Sequence, residues 1–238
     1  QGVAVAGKDP EMAFRLGKRA TKPLSAMVSD PMLGAAVRNS AIEALGMIGD
    51  SNGCAALVNA LSERELHTNG VAALVHIGHY NPILDGCRNP NPLVRRGCLS
   101  ALGRLGDSLV IEQVGRCVDD PDTTVRVHAH EALGRIGHNA ALPFLARGLD
   151  DQETHVRHTA LQQIGQFEGD RAIPLVIQSA NDRSPTVRRL SVELLARFPD
   201  ARVVPILVDR MEDDDKEVSE AAKRSLAHLE SLVDGGAA

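Results

Sequence analysis

With 26 Lys and Arg against 31 Asp and Glu over 238 residues, the chain carries a formal net charge of −5, so bulk attraction to nucleic acid or an anionic membrane is not expected. No stretch approaches the roughly 18 apolar residues that span a bilayer. With 2% aromatic residues, no Trp and one Tyr, the interior has to be filled by Ala, Leu, Val and Ile. Four cysteines (Cys54, Cys87, Cys98, Cys117) show no CxxC pairing and there is no secretory signal, so they read as buried free thiols in a reducing cytoplasm.

Along the chain one unit recurs. A partial copy, expected over residues 8–20, ends in Leu16-Gly17. The first apolar position of the unit then returns at Val37, Leu66, Val94, Val125, Val156, Val187 and Val218, in steps of 29, 28, 31, 31, 31 and 31 residues. Counted from that residue as position 0, positions 0, 4, 7, 8 and 11 are almost always apolar or small, as in Val125, Ala129, Ala132, Leu133 and Ile136. At about 100° per residue they share one arc of roughly 100°, which predicts an amphipathic helix. Asp, Pro, Ser or Thr just before position 0 marks the helix start, as in Asp120-Pro121-Asp122-Thr123. Leu-Gly-x-Ile-Gly marks its end, because glycine tolerates positive φ.

Shorter apolar runs lie between these helices, at 54–61, 83–87, 109–118, 141–149, 173–180 and 203–211. Several carry an early proline (Pro143, Pro174, Pro205), which a first helical turn accepts because its N–H has no partner there. Each unit is thus a short helix, a turn and a longer helix, and nothing reads as strand. Position 5 is apolar in most units but is Lys223 in the last, so a C-terminal capping repeat is expected over 202–232, with a loose tail at 233–238. Residues 1–7 are too short for a partner helix, so the chain is expected to continue into an upstream domain or to meet another protein there. The short steps around Leu66, with Gly70 and nearby prolines, predict irregular geometry over residues 67–92.

The motif V-R-x-x-A-x-x-A-L-G-x-I-G, closest to complete at 125–137, resembles the HEAT-like repeats of the phycobilisome-lyase type. That resemblance implies an all-α fold: a single α-solenoid domain over 1–238, a right-handed superhelix of about seven full repeats of 28–31 residues plus the partial one. Repeats of this kind serve as binding scaffolds, chromophore-lyase subunits and, rarely, enzymes.

Two sets of residues stand out. The Arg at position 1 returns as Arg38, Arg95, Arg126, Arg157 and Arg188. Repetition in register points to a structural ladder, pairing with turn carboxylates such as Asp119, Asp120, Asp122, Asp150 and Asp151. Exposed pairs of that kind contribute only about 0–1 kcal/mol each. Positions 2, 6 and 10 point away from the apolar arc and are expected to line a concave face. Arg96, Arg104, Arg135, His158, Arg189 and Arg197 make its middle positive, Glu131 and Glu193 interrupt it, and Val127, His128 and Gln162 complete the candidate surface.

A metal centre is not expected. His130-Glu131 is similar to the His-Glu pairs of deoxyhypusine hydroxylase, a HEAT-like enzyme with two irons. Those pairs sit earlier in the helix, where this chain reads Val127-His128, His158-Thr159 and Arg189-Leu190. His130 itself reads as a buried histidine bonded to backbone, and His155 and His158 with His128 or His130 as scattered rather than ligating. No catalytic residues, cofactor or nucleotide fingerprint emerge, and an enzyme is not favoured. The expected function is a scaffold that holds a protein or peptide, with an acidic surface, on the concave helix face. A phycobilin-lyase-like subunit is the alternative: Arg96, Arg135 or Arg189 would suit tetrapyrrole propionates, but aromatic lining is scarce. Nucleic-acid binding is disfavoured by the acidic charge.

Overall fold

The computed structural model describes residues 17–167 and 169–235; the stretch 1–7, most of the expected partial repeat and residues 236–238 of the expected tail lie outside the described residues. Every regular element among the described residues is helical, and the chain divides into two compact units, Gln1–Ile136 and Gly137–Ala238. The first holds α1 (Thr21–Ser29), α2 (Ala35–Ile48), α3 (Cys54–Ala60), α4 (Arg64–Ile77), α5 (Tyr80–Gly86), α6 (Pro92–Leu105), α7 (Ile111–Gly115) and α8 (Thr123–Ile136). The second holds α9 (Leu142–Arg147), α10 (Thr154–Ile164), α11 (Ile173–Ser179), α12 (Pro185–Leu195), α13 (Val204–Arg210) and α14 (Lys216–Gly235). Within each unit, short and long helices alternate as stacked hairpins, the arrangement of an α-solenoid. The last helix runs to Gly235, into the stretch expected as tail.

Local chemistry sets the helix ends. Asn91 accepts the Leu93 N–H at 2.9 Å to open α6, and Asp122 accepts those of Thr124 and Val125 at 2.9 and 3.1 Å to open α8. Helices α2, α4, α6 and α8 are each 14 residues long and stop at Gly49, Gly78, Gly106 and Gly137, with φ between 65° and 70°. Helices α10 and α12 run only 11 residues. In the repeat of α12 the glycine slot is Pro199, whose ring would clash with the carbonyl four residues back, so the helix unwinds before it.

The long helices meet at small residues. A Cβ on Gly46 would lie 3.1 Å from the Ala73 backbone, and one on Gly103 would lie 2.7 Å from the Ala132 Cα. The alanines predicted at position 7 therefore face a glycine at position 9 of the preceding long helix, which brings the two backbones together. Behind this seam the interior is aliphatic: Leu24, Leu45, Leu57, Leu74, Ile83, Leu102 and Leu133 are at most 1% exposed.

The position-1 arginines bind the turns. Arg157 donates from Nε and Nη2 to Asp182 at 2.8 and 2.9 Å and from Nη1 to the Asp151 carbonyl at 2.9 Å. Arg95 makes the same fork with Asp120 and the Asn89 carbonyl, and Arg188 with Asp213 and the Asp182 carbonyl. Arg38 forks onto Glu63, and Arg126 donates to the Asp120 carbonyl at 3.0 Å. The forks of Arg95, Arg157 and Arg188 are not the exposed pairs the sequence suggests, whereas Glu63 of the Arg38 fork is half-exposed. Arg157 and Asp182 are 3% and 8% exposed at their side chains, because the fork lies under the turn of one repeat and against the next. Asp122, one of the expected partners, caps α8 instead.

One junction departs from this scheme, within the stretch expected to be irregular. Between α4 and α6 the arginine slot is His67, the seam glycine is Val75 and the acidic slot is Asn89. His67 places Nδ1 2.9 Å from the Leu61 carbonyl, and Gly97 of α6 makes room for it, since a Cβ there would lie 2.9 Å from the ring. Both helices keep full length, so the irregularity lies in how they meet: α4 packs less closely against α6 than α2 against α4 or α6 against α8.

Arg157→Ala leaves the Asp182 carboxylate buried without its counter-charge and should lower stability by about 3–5 kcal/mol in urea unfolding. Arg202→Ala, which removes a surface pair with Asp200 and Asp170, should leave the midpoint unmoved. Equal effects from the two would show that the buried fork does not hold the stack. Gly103→Ala should cost about 1–3 kcal/mol by overpacking against the Ala132 backbone, despite the better helix propensity of alanine. A stabilised variant would mean the seam opens freely.

Candidate functional site

The candidate surface divides by helix position once it is placed on the fold. Positions 6 and 10 face solvent: Arg104 on α6, Arg135 on α8, and Gln162 and Glu193 in the second unit are exposed, while Glu131 is half-buried. Position 2 behaves differently. Arg96, His158 and Arg189 are half-buried, and Val127 is 6% exposed, so Val127 is no part of an open face. On a helical wheel position 2 falls within about 20° of position 9, the flank on which α2 meets α4 and α6 meets α8. A residue there is at the edge of the repeat seam rather than on the free side. His128 is half-buried with Nδ1 2.8 Å from the Thr124 carbonyl, one turn back on its own helix.

The arginines also differ in how they are held. Arg104 and Arg135, at the same register on neighbouring helices, make no ion pair among the described residues, and their guanidinium groups are open to a ligand. Arg189 lies 3.6 Å from Glu217, an exposed and loose pair. Arg197 is not on a helix: it follows the end of α12 and donates to the Gly165 carbonyl at 2.7 Å. There it lines a cavity of about 320 Å³ with Phe167, Phe198 and Pro199, at the point where α10 and α12 end early. His130 is fully buried, and among the described residues no group of three or more His, Cys, Asp or Glu is arranged to hold a metal ion.

Two features are missed by reading the sequence alone. A cavity of about 390 Å³ opens between α2 and α4, lined by Glu43, Met47, Asn69 and His76, because Gly46, Ala72 and Ala73 leave the space unfilled. Glu43, Met47 and His76 do sit at positions 6 and 10, but without the basic charge that marks the later repeats. The second is a pair of half-buried thiols, Cys87 and Cys117, on the wall of a third cavity. Cys54 and Cys98 are fully buried as expected. The sequence does hold a signal for the pair: Cys87 and Cys117 are nearly one repeat apart, which puts them at matching ends of successive short helices.

A family model described as HEAT repeats matches residues 80–159 and 147–227, and one described as PBS lyase HEAT-like repeat matches residues 37–63. No curated protein matches the chain in sequence. Among solved structures, the karyopherin Kap121p bound to the extreme C-terminus of the protein phosphatase Cdc14p is similar, with a TM-score of 0.64 and 13% identity over 97% of this chain and 32% of that one. The protein YIBA_ECOLI is similar at a TM-score of 0.55 and 20% identity, over 94% of this chain and 89% of its own. A designed armadillo repeat protein in complex with the peptide (KR)4 reaches 0.52 at 15% identity, over 87% and 98%. At such identities the likeness is one of fold alone.

Titration of the face follows from its burial. His128 sits below the ordinary value of 6.5, chiefly because burial disfavours its charged form; Arg96 and His67 add to this, while the Thr124 carbonyl and Glu131 oppose it. His158 is lowered in the same way by burial, His155 and Arg189, against Glu193. Both rings are therefore neutral near pH 7 in the fold, and the unfolded chain takes up protons first as the pH falls. Their contribution to stability is complete above 6.5 and is lost as the pH drops below it. The clamp carboxylates act lower. Burial, the largest single influence, raises Asp182 and Asp213, but the hydrogen bonds from Arg157 and Arg188, those from the Ser184 and Asp215 N–H groups and the guanidinium charges together outweigh it and hold both below 3.8, Asp213 at about 2. The thermal midpoint should therefore fall in two stages on acidification, a shallow one starting near 6.5 and a steep one below 3.8. His128→Gln with His158→Gln should remove the upper stage only. An upper stage that persists in the double variant would assign it to other groups.

Proposed function

This chain belongs to the HEAT-repeat family, and on that footing we propose that it is a non-catalytic scaffold that holds a partner protein or peptide with an acidic surface against its long helices. The observation that carries the reading is the pair Arg104 and Arg135, exposed, in register and unpaired on two helices whose backbones touch at Gly103 and Ala132. A guanidinium held on so rigid a base loses little freedom on meeting a carboxylate, so its charge is presented at low entropic cost. Arg96, half-buried at the seam of the same unit, adds positive charge beside the pair, and Glu131 restricts which acidic partners fit. Two proteins of like fold support the general mode: Kap121p is bound to the C-terminus of another protein, and the designed armadillo protein is bound to a basic peptide. The four free cysteines support a cytoplasmic setting. No helix among the described residues is long and apolar enough to cross a membrane.

Arg104→Glu with Arg135→Glu tests this directly, since neither residue supports the fold. The thermal midpoint should stay within about 2–3 °C of wild type, as surface changes cost under ~0.5 kcal/mol. Capture of an acidic partner from the native host should fall at least about tenfold, as expected for reversing charges at an interface. Undiminished capture by the double variant would remove the proposal, and a coloured cofactor retained by both proteins would favour the lyase-type alternative.

A further inference from the structure

The two half-buried thiols have no role in the scaffold reading, and they are placed as a pair. Cys87 directly follows α5, and Cys117 lies in the 3-10 turn Arg116–Asp119 that follows α7. Successive short helices of the first unit thus end in one cysteine each. Both cysteines line the same cavity of about 220 Å³, together with Leu84, Arg88, Gln113 and Asp120. They lie close enough that each thiol alters the ionisation of the other. The third neighbour, Cys98, is fully buried behind them, with its sulfur filling the space that Gly86 leaves, where a Cβ would be 2.4 Å away. It has no path to solvent, so chemistry arriving through the cavity meets Cys87 and Cys117.

We propose that Cys87 and Cys117 form a thiol modification site, converted by a peroxide into a disulfide that ties one repeat to the next. One thiolate attacks a peroxide oxygen: an S–O bond forms, the O–O bond breaks, and the departing oxide takes up a proton. The second thiol then attacks the sulfenic sulfur, forming S–S, breaking S–O and releasing water. With hydrogen peroxide as oxidant, two thiols and one peroxide give one disulfide and two waters. The bond would close the same junction that the Arg95–Asp120 fork closes, since Asp120 is on the cavity wall.

The setting also fixes the tempo. Cys117 is held protonated well above the ordinary cysteine value by its contact with Cys87 and by burial. Contact with Cys117 lowers Cys87, but Cys98 and burial raise it more. The thiolate is therefore scarce near neutral pH, and oxidation should be slow there and quicken with pH, unlike that of an exposed cysteine.

The full chain should be treated with hydrogen peroxide at several pH values, alkylated under denaturing conditions and mapped by mass spectrometry. The expected result is a mass about 2 Da lower, two thiols protected from alkylation, and a Cys87–Cys117 peptide pair that a thiol reductant releases. Cys98→Ser should retain the link and Cys117→Ser abolish it, while the oxidised wild type melts several degrees higher than the reduced form. Oxidation of Cys87 or Cys117 to sulfinic acid without any linked peptide would overturn the proposal. A linked peptide that contains Cys98 instead would overturn it as well.

Discussion

A buried guanidinium shared between two turns governs the geometry of the stack. Each of Arg95, Arg157 and Arg188 reaches the carbonyl of the residue six places before it and the carboxylate of the residue twenty-five places after it. Asp182 serves two arginines at once: its carboxylate takes Arg157, and its carbonyl takes Arg188. Asp120 does the same for Arg95 and Arg126. Those two spans together make the 31-residue step, so the period of the later repeats is the length of one link in this chain of hydrogen bonds. Burying such charges is costly in itself. Here the cost is offset because every group finds a partner: Asp182 also accepts the Ser184 N–H at 2.7 Å, which shapes the turn that buries the pair. Aspartate suits the slot because its short side chain bonds the backbone two residues on while still facing the arginine.

The junction between α4 and α6 shows the effect of shortening the link. With a 28-residue step, the residue that gives its carbonyl to Arg95 is Asn89, and it comes only 22 residues after His67. A fork of the usual geometry does not fit that span. An arginine at 67 would be left buried without a carboxylate, and an aspartate at 89 without a guanidinium. The chain has neither. His67 keeps the six-back carbonyl bond, to Leu61, and Asn89 keeps the turn bond, to the Asn91 N–H at 2.9 Å. Only the charged half of the interaction is gone, and with it the seam glycine, replaced by Val75. Three changes of residue type at separate positions thus accompany one change in length, and among the described residues of the first unit this is the junction where successive long helices meet without the charged fork.

The fold was legible because its determinants are periodic. A residue type that returns at position 1 or 9 declares a contact made again at each step, even before its partner is known. The depth of those contacts was not legible. Whether Arg157 lies on the surface or under a turn depends on the packing of a neighbouring repeat, which a single helical wheel does not represent. Val127 fails for the same reason: the wheel puts position 2 opposite the core of its own hairpin, yet that flank belongs to the seam. Arg197 leaves the expected face because Pro199 interrupts the period and the helix has already ended before either residue. Taken singly, Cys87 and Cys117 each look like a small apolar residue, although their spacing carries the same signal that marks the repeats.

Function was harder to read than fold because the two are written at different positions. Positions 0, 1, 4, 7, 8, 9 and 11 are committed to the hairpin, the seam or the fork, and they leave positions 6 and 10 on the open face. There a change of charge disturbs no neighbour: Arg104 and Arg135 occupy the register that Met47 and His76 hold in earlier repeats, and all four helices keep the same length. A solenoid can therefore exchange its recognition surface without altering its architecture, and relatives with the same stack need share no partner. Function in such a chain has to be sought in residues that the stack does not need. Here those are the unpaired arginines of the open face, and the two thiols beside a junction that the Arg95–Asp120 fork already closes.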